Sequence, residues 1–381
     1  MERTLYDTDH RAFRESVREY CERVLVKGHD EAVENMHIAR DAWLEAGEQG
    51  LLGLNVPEQY GGSEAGDYRF NAVLNEELAK VSMAYASCVG IHFDIVAPYL
   101  VELGTEEQKQ RWLPGFAAGE KVAAIGMTEP SGGSDLAALK TTAKKDGDSY
   151  VLSGSKTFIT NGGSADLVVV AASTDPSKKA KGVSLFVVEE GTEGFTKGRR
   201  LHKIGQPESD TSELFFDDCR IPAENLLGEE GQGFVAMMER LAQERLCVAI
   251  HNLAHAREVL DETLTYVKSR EAFGRPVGSF QYNKFLLADM ATKADVTQAY
   301  LDAAVVAHDR GELTAVDAAK TKLISSDVGC EILDHCVQLH GGYGYMYEYK
   351  AARAWADGRV ARIWAGSNEI MKEIIGRDLG L

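Results

Sequence analysis

Residues 234–270 read FVAMMERLAQERLCVAIHNLAHAREVLDETLTYVKSR, and this stretch sets the fold class of the C-terminal part of the chain. It has no proline, and its apolar residues recur every three or four positions, which is typical of one long amphipathic helix. Residues 281–310 and 314–339 show the same pattern, and residues 363–378 form a shorter helical piece. Three antiparallel helices of this length predict a helix bundle, to which residues 363–378 add a last piece.

The sequence pattern changes twice before this bundle. Residues 121–216 hold short runs rich in Val, Thr, Phe and Ile between turn sequences, which predicts a β-sandwich or barrel. Residues 1–120 are helical in pattern, and residues 68–103 predict two helices interrupted near Gly90 or Pro98. The predicted fold class is therefore α+β, with an N-terminal helical domain at 1–120, a middle β domain at 121–228 and a C-terminal four-helix-bundle domain at 229–381.

Composition and charge narrow the class of protein. Of the 381 residues, 44% are hydrophobic and 26% charged, as in an ordinary globular protein. The formal net charge of -18 argues against nucleic acid or an anionic membrane as a partner, since both would be repelled. The six cysteines have no CxxC spacing, so we expect reduced, buried thiols in a cytoplasmic protein. The N-terminal segment lacks an apolar core and no apolar run reaches about 18 residues, so we expect no leader and no membrane span.

Glu244 is the residue that stands out on the long helix. It shares one apolar stripe with Met237, Leu241, Val248 and His251. A carboxylate in apolar surroundings is costly to ionise, so its pKa is expected to rise, which is the condition for a general base near neutral pH. Spacing alone leaves an alternative open, namely a structural glutamate paired with an arginine of a neighbouring helix.

The same helix carries two histidines four residues apart. His251 and His255 have the spacing of a zinc-binding pair, but Asn252 stands where a zinc protease has its glutamate. We therefore expect a helical packing pair and no metal site.

Four loops combine polar side chains with exposed backbone. They are residues 127–135 (MTEPSGGSD), 158–162 (FITNG), 338–342 (QLHGG) and 365–369 (AGSNE). The first can bind a phosphate or the edge of a heteroaromatic ring through hydroxyls and backbone N–H groups. For each loop taken alone, an ordinary turn stays open as an alternative.

Taken together, the loops occur in an order that is specific to one family. The strings that carry the resemblance are MTEPSGGSD (127–135), KTFITNG (156–162), SREAFGRPVGSFQ (269–281), QLHGGYGYM (338–346) and AGSNEIMKEIIGR (365–377). The chain resembles the acyl-CoA dehydrogenases over essentially its whole length. The succession of helical, β and helical parts is the fold which that family shares.

The resemblance implies FAD as the cofactor, held between the β domain and the C-terminal bundle. Thr128 and the backbone near Met127 are expected at the pyrimidine end of the flavin, Thr160 near its N5 atom, and Phe158 over its ring. The full set of cofactor-binding residues that the resemblance implies is Ile125, Met127, Thr128, Gly133, Ser134, Phe158, Ile159, Thr160, Arg270, Phe273, Gln281, Gln338, Leu339, Gly341, Gly342, Ser367 and Glu369.

The resemblance also divides the far end of the cofactor between subunits. Arg270 and Gln281 are expected to hold the pyrophosphate and adenosine, and residues 338–342 to do so from a neighbouring subunit. Ser367 and Glu369 match a segment that closes over the adenosine end. A site shared in this way implies an oligomer, expected to be a homotetramer built as a dimer of dimers.

Many members of this family carry the catalytic glutamate just before the last helix, where this chain has Ala365. The long-chain and isovaleryl branch, which this chain resembles most, places that glutamate at the position of Glu244. The resemblance implies that Glu244 removes the α-proton of a fatty acyl-CoA while the β-hydride passes to flavin N5, which gives a trans-2-enoyl-CoA. The backbone N–H of Ala365 is expected to bind the thioester oxygen. The expected substrate-binding residues are Ser134, Met238, Leu241, Arg245 and Gly366.

Several functional points stay open at this stage. We expect medium-chain, long-chain or branched acyl substrates and an electron-transferring flavoprotein as the electron acceptor. A flavin oxidase or monooxygenase on the same scaffold is one alternative, and a non-catalytic subunit that binds acyl-CoA or FAD is another. The small residues of one N-terminal helix indicate either room for the acyl chain or close helix packing; they are Ala84, Ala86, Ser87, Cys88 and Gly90.

Overall fold

The structure, a computed structural model, describes residues 3–381; residues 1 and 2 of the predicted N-terminal domain lie outside it. The α-helices of the described chain are α1 Thr8–Tyr20, α2 His29–Asn35, α3 Arg40–Glu48, α4 Tyr68–Val81, α5 Met83–Gly90, α6 Ala97–Leu103, α7 Glu106–Ala117, α8 Gly233–Ser269, α9 Gln281–Asp309, α10 Ala315–His340, α11 Lys350–Gly358 and α12 Asn368–Asp378. The strands are β1 Ala123–Gly126, β2 Thr142–Asp146, β3 Ser149–Ile159, β4 Leu167–Ser173, β5 Val183–Glu189, β6 Phe195–Arg200, β7 Ser212–Pro222, β8 Leu226–Leu227, β9 Glu271–Ala272 and β10 Arg275–Pro276. Helices, a sheet and helices follow one another, which confirms the predicted α+β class.

Strands β1 to β8 form one mixed sheet. Its order is β6-β7-β3-β2-β4-β5-β8, and β1 pairs in parallel with β4. All seven residues of β4 are buried, because both faces of this strand are covered. The loop that follows β1 and the loop that follows β3 leave this sheet, and both were predicted to bind a ligand.

The long helix α8 is central to the molecule. Its residues Leu246, Ile250 and Leu253 lie in an apolar core shared with α4, α9 and α10. Burying a side chain of this size contributes about 1.5–3 kcal/mol to stability. α8 also contacts strand β5 and the π-helical segment Ile91–Val96 between α5 and α6. The three parts of the chain therefore meet along α8.

The helical stretch 68–103 forms two helices, as predicted, but the break lies at Ser82. Between Gly90 and Pro98, where the break was expected, the helix continues through a π-helical segment. Ser82 is extended, and its hydroxyl oxygen accepts a hydrogen bond from the backbone N–H of Ala84 at 3.0 Å, which caps α5. Glycine in a buried helix is tolerated where neighbouring side chains leave no room for a larger residue. Packing thus outweighs the helix-breaking tendency of Gly90.

Pro98 is accommodated by the π-helical segment Ile91–Val96, which precedes it in the continuous helix Met83–Leu103. Proline has no N–H to donate to the carbonyl oxygen four residues earlier, here that of Asp94. Nε2 of Gln243 in α8 donates to this oxygen at 2.9 Å. The hydrogen bond that proline removes is replaced by one from another helix.

The helix Met83–Leu103 is, in the described part of the chain, the one helix long and apolar enough to cross a membrane, so the expectation of no such run is wrong. It has 21 residues and a mean hydropathy of 1.3. Of its most apolar window, 89% is buried inside the protein. A buried core helix meets the same criterion, so this single helix is weak evidence for a membrane span.

Two of the small residues of α5, Gly90 and Ser87, make contacts that distinguish close packing from room for an acyl chain. A Cβ on Gly90 would lie 2.9 Å from Cε1 of His251. Nε2 of this histidine is itself held 2.7 Å from Oδ1 of Asn75 in α4. The hydroxyl of Ser87 donates to Oε1 of Gln206 at 3.0 Å. These contacts favour close helix packing over room for a ligand.

The two histidines of α8 form the expected packing pair. Burial lowers the pKa of His251 to about 3 and the pKa of His255 to about 4, so both are neutral. Nδ1 of His255 lies 3.0 Å from the carbonyl oxygen of Ala79, which ties α8 to α4. The six cysteines are free thiols, and five of them are buried, as expected.

Gly90→Ala is expected to destabilise the protein, because the new methyl group meets the fixed ring of His251. Overpacking of this kind reduces stability by about 1–3 kcal/mol, which thermal denaturation measures as a lower Tm. Gly376→Ala in α12 is the matched control, since a Cβ there meets nothing within 4 Å. A Tm of Gly90→Ala equal to that of Gly376→Ala would contradict the packing role of Gly90.

Candidate active site

Glu244 lies on the buried side of α8, where it is 8% exposed. The hydroxyl of Tyr99 in α6 donates a hydrogen bond to its Oε1 atom at 2.8 Å. Burial raises the pKa of Glu244 to about 7, although this hydrogen bond and the charges of Arg245 and Arg240 act in the opposite direction. Glu244 makes no salt bridge with any residue of 3–381, so it is not the paired structural glutamate that spacing left open.

A second buried carboxylate, Asp94, lies in the π-helical segment that faces α8. Its side-chain oxygens accept hydrogen bonds at 2.6–3.2 Å from Tyr68, Asn71, Asn75 and Gln243. All four donors are neutral groups, so none of them is a counterion to Asp94. The negative charge of Asp94 contributes to the raised pKa of Glu244.

The loop before α12 lies against α8 beside Glu244. A Cβ on Gly366 would lie 4.0 Å from Nη2 of Arg245. Ala365 and Gly366 both have left-handed backbone, with φ of 51° and 86°, which is strained for alanine. The fully buried Lys322 donates from Nζ to the carbonyl oxygen of Gly366 at 2.8 Å. This contact fixes the backbone that follows Ala365 close to α8.

Arg245 is a buried cation without an anion. It is 5% exposed, makes no salt bridge within residues 3–381, and its Nε atom has no hydrogen-bond partner there. Burial lowers the pKa of its guanidinium group, against the charge of Glu244. A buried charge without a partner is unfavourable unless a ligand completes it, which fits the expected place of Arg245 in substrate binding.

The two loops expected to hold the flavin ring lie side by side. The backbone N–H of Thr157 donates to the carbonyl oxygen of Thr128 at 2.9 Å. Nζ of the fully buried Lys156 donates to Glu129 at 2.8 Å and to the carbonyl oxygen of Met127 at 3.2 Å. Three hydrogen bonds from β3 thus fix the loop that follows β1.

Phe158 presents its ring to the surface from a strained backbone. Its φ is 58° and it is 69% exposed, an uncommon combination for a bulky apolar residue. The adjoining turn is fixed by Asn161, whose Nδ2 donates to the carbonyl oxygens of Cys88 and Ala123 at 2.8 and 3.1 Å. The exposed ring beside Thr160 therefore offers a rigid, flat wall to a planar ligand.

A separate cavity of about 720 Å³ lies where the ends of α8 and α10 meet the start of α9. Five residues of the predicted cofactor set line it: Arg270, Gln338, Leu339, Gly341 and Gly342. Arg270 and residues 338–342 thus lie side by side in one chain, whereas the prediction assigned them to two subunits. The C-terminal ends of α8 and α10 are neighbours within one chain, which sequence order does not reveal.

Two members of the predicted cofactor set lie outside this cavity. Phe273 is 96% exposed in the turn between β9 and β10, and Gln281 is the exposed first residue of α9. Tyr282 and Asn283, next in sequence, line the cavity instead. The side chain of Arg270 stacks over Tyr343, with its Cζ atom 5.8 Å from the ring centroid.

The remaining predicted residues lie along the same elements. Ile125 and Met127 pack against the apolar cluster that contains Tyr99 and Met237, so the end of β1 lies near the part of α8 that precedes Glu244. The others are Ile159 at the end of β3, Gly133 and Ser134 in the loop after β1, Met238 and Leu241 on α8, and Ser367 and Glu369 at the start of α12.

Sequence reasoning missed Tyr99, Asp94 and Lys322. The sequence did contain a signal for Asp94, because an acidic residue within an apolar helical stretch is rarely buried unless it has polar partners. Tyr99 had none, since its contact with Glu244 spans 145 residues of sequence. Lys322 had none either, because its partner Gly366 contributes a backbone oxygen.

Comparison with known proteins agrees with this geometry. Three family models match in succession: the acyl-CoA dehydrogenase N-terminal domain at residues 7–120, the middle domain at 124–219 and the C-terminal domain at 231–380. The long-chain specific acyl-CoA dehydrogenase of Sus scrofa is 44% identical over 383 residues, which cover 99% of this chain and 88% of that protein. The isovaleryl-CoA dehydrogenase of Solanum tuberosum is 36% identical over 377 residues, 98% of this chain and 91% of the relative.

Solved structures share the whole fold. An acyl-CoA dehydrogenase from Geobacillus kaustophilus matches with a TM-score of 0.97 and 46% identity over 99% of both chains. A structure described for the electron transferring flavoprotein of Acidaminococcus fermentans matches with a TM-score of 0.94 and 38% identity, over 100% of this chain and 99% of that one.

The fold and the comparisons together define a flavoprotein oxidoreductase, and its longest helix carries a buried carboxylate. The chain belongs to the acyl-CoA dehydrogenase family, whose members are FAD-dependent. The resemblance predicted from the five sequence strings is thereby confirmed, including its similarity to the long-chain and isovaleryl types.

Lys156→Met is expected to loosen the loop after β1, because it leaves the buried Glu129 without its cation. Although burial acts to raise it, hydrogen bonds from Lys156 and Thr141 lower the pKa of Glu129 to about 2. Removing one partner of a buried ion pair reduces stability by about 3–5 kcal/mol. Thermal denaturation and the flavin content of the purified protein measure the effect.

The control for Lys156→Met is Lys197→Met in the same sheet. Lys197 pairs with Glu190, whose side chain is 54% exposed, so its loss is expected to change the Tm little. Equal Tm values and flavin contents for the two variants would show that the buried pair does not fix the loop.

Proposed function

We propose that this chain oxidises a fatty acyl-CoA to the trans-2-enoyl-CoA, with Glu244 as the base that removes the α-proton. The observation that carries the proposal is the buried Glu244 carboxylate, which makes no salt bridge within residues 3–381 and has a pKa raised to about 7. A base is most effective when its pKa lies near the working pH. Ala365 at the alternative position of the base is then no sign of an inactive enzyme.

The described residues fit FAD as the cofactor. The strained, exposed ring of Phe158 is the main observation, because it provides a wall for a planar ring system next to Thr128 and Thr160. Arg270 and Gln338 would hold the pyrophosphate and adenosine in the cavity of about 720 Å³, since a guanidinium group binds phosphate through charged hydrogen bonds. When bound, FAD supplies the acceptor for the hydride that leaves the β-carbon.

Proton removal follows from the geometry around Glu244. Tyr99 holds Oε1, so Oε2 is the atom that receives the proton when the α-carbon–hydrogen bond breaks. Negative charge then develops on the thioester oxygen, and the backbone N–H of Ala365 would donate to that oxygen. The buried cations Arg245 and Lys322, both close to Gly366, stabilise this charge further.

The separation of the two groups of cofactor residues supports an oligomer. The cavity at the end of α8 is lined by bundle residues, whereas Thr128, Phe158 and Thr160 belong to the β domain. One FAD that contacts both groups would join two copies of the chain. We therefore propose a homotetramer, with an electron-transferring flavoprotein as electron acceptor and the cytoplasm as location.

The acyl substrate is proposed to be medium-chain, long-chain or branched, in keeping with the long-chain and isovaleryl relatives. Anaerobic bleaching of the bound flavin by a series of straight and branched acyl-CoA thioesters ranks the substrates directly. Oxygen consumption with the best thioester tests the oxidase alternative. If no thioester of the series bleaches the flavin, the alternative of a non-catalytic subunit is supported.

Glu244→Gln is expected to retain FAD but to slow flavin bleaching by the best thioester at least about 100-fold, because a general base contributes 10²–10⁴ in rate. Stopped-flow absorbance under anaerobic conditions measures the rate. The matched control is Glu239→Gln on the same helix, whose side chain is 68% exposed and which should bleach as the unmodified enzyme does. Bleaching of Glu244→Gln at the unmodified rate would assign the base to another residue.

A further inference from the structure

We propose that Tyr99 is a positioning residue for the catalytic base, whose hydroxyl fixes one oxygen of Glu244 and leaves the other directed to the substrate. This inference rests on the proposed function. It concerns how the base is held, which the identity of the base alone does not explain.

The hydrogen bond between Tyr99 and Glu244 is buried, and Tyr99 is its single donor within the described residues. Tyr99 is fully buried and Glu244 is 8% exposed, and the hydroxyl lies 2.8 Å from Oε1. Within residues 3–381 this is the sole hydrogen bond that the Glu244 carboxylate makes. A carboxylate held at one oxygen by a single donor keeps its second oxygen, Oε2, free to accept a proton.

The ring of Tyr99 is itself held in place. The Cζ atom of Arg240 lies 5.2 Å from its centroid, on the ring face. Arg240 is in turn oriented by Glu102 at 2.5 Å and by the carbonyl oxygen of Ala236 at 2.9 Å. The cation nearest to Tyr99 is therefore engaged with Glu102 and does not pair with the base.

The π-helical segment Ile91–Val96 sets the direction in which Tyr99 points. It brings both Asp94 and Tyr99 to the side of the helix that faces α8, although they are five positions apart in sequence. Asp94 contacts Gln243, and Tyr99 contacts the next residue, Glu244. The local widening of the helix thus aligns two side chains with two consecutive residues of α8.

The charged and titratable groups around Glu244 define the expected pH effect. Tyr99, Arg245 and Arg240 favour its ionised form, whereas burial and the charge of Asp94 disfavour it. Other nearby groups are Glu102 on α6, the neutral thiol of Cys247 on α8 and Lys322 on α10, which lies near Arg245. The base acts in its ionised form, and the Tyr99 hydrogen bond favours that form. Loss of this hydrogen bond therefore raises the pH at which the rate of flavin bleaching increases.

Tyr99→Phe tests the role by removing the hydroxyl alone. The rate of flavin bleaching by a saturating thioester should rise with pH, with its midpoint above that of the unmodified enzyme, and at pH 7 it should be about tenfold lower. FAD content should be unchanged. The control is Tyr85→Phe in the same helical stretch, a residue equally buried whose hydroxyl donates to the carbonyl oxygen of Leu25 at 3.2 Å. This control should keep the unmodified midpoint.

3-Fluorotyrosine at position 99 provides a second variant that preserves the shape of the side chain. Its more acidic hydroxyl is a stronger donor, so the midpoint should move to lower pH. If both variants at position 99 show the same pH midpoint of the bleaching rate as the unmodified enzyme, the positioning role is overturned. The proposed function stays intact in that case, provided that Glu244→Gln abolishes bleaching. Full bleaching by Glu244→Gln would instead overturn the proposed function.

Discussion

Desolvation of a single carboxylate is the physical constraint around which this site is arranged. Glu244 is buried on α8 and has no salt-bridge partner in the described part of the chain, and burial is the largest cause of its raised pKa. Two of the cations nearby are directed elsewhere. Arg240 pairs with Glu102, and Lys322 donates to the backbone at Gly366. A direct salt bridge to Glu244 would lower its pKa and remove its ability to act as a base near neutral pH.

Backbone strain is concentrated at the points where ligands are expected. Phe158 and Ala365 are both in left-handed conformation, which disfavours each by about 1–3 kcal/mol. Rigid contacts hold both positions: Asn161 fixes the turn after Phe158, and Lys322 fixes the loop at Ala365. The protein thus presents an aromatic wall and a backbone donor in fixed positions before any ligand binds.

The sequence predicted features that depend on local periodicity and missed those that depend on tertiary contacts. The apolar stripe of α8 was sufficient to identify Glu244 and the direction of its pKa shift. The hydrogen bond from Tyr99 and the joint cavity of Arg270 with residues 338–342 were not predictable, because each depends on segments distant in sequence. The helix break at Ser82 was missed, although a serine N-cap is a local signal. Gly90 and Pro98 were expected to break the helix. They do not, because contacts with α8 compensate for the helix-breaking tendency of both residues.

The central claim is that Glu244 removes the α-proton of the thioester. The most direct test is hydrogen exchange at the α-carbon, followed by NMR in D₂O, with an acyl-CoA that carries no hydrogen at its β-carbon and so cannot be oxidised. Our account predicts that the unmodified protein with bound FAD exchanges the α-protons and that Glu244→Gln does not. Exchange at the same rate in both proteins would contradict it.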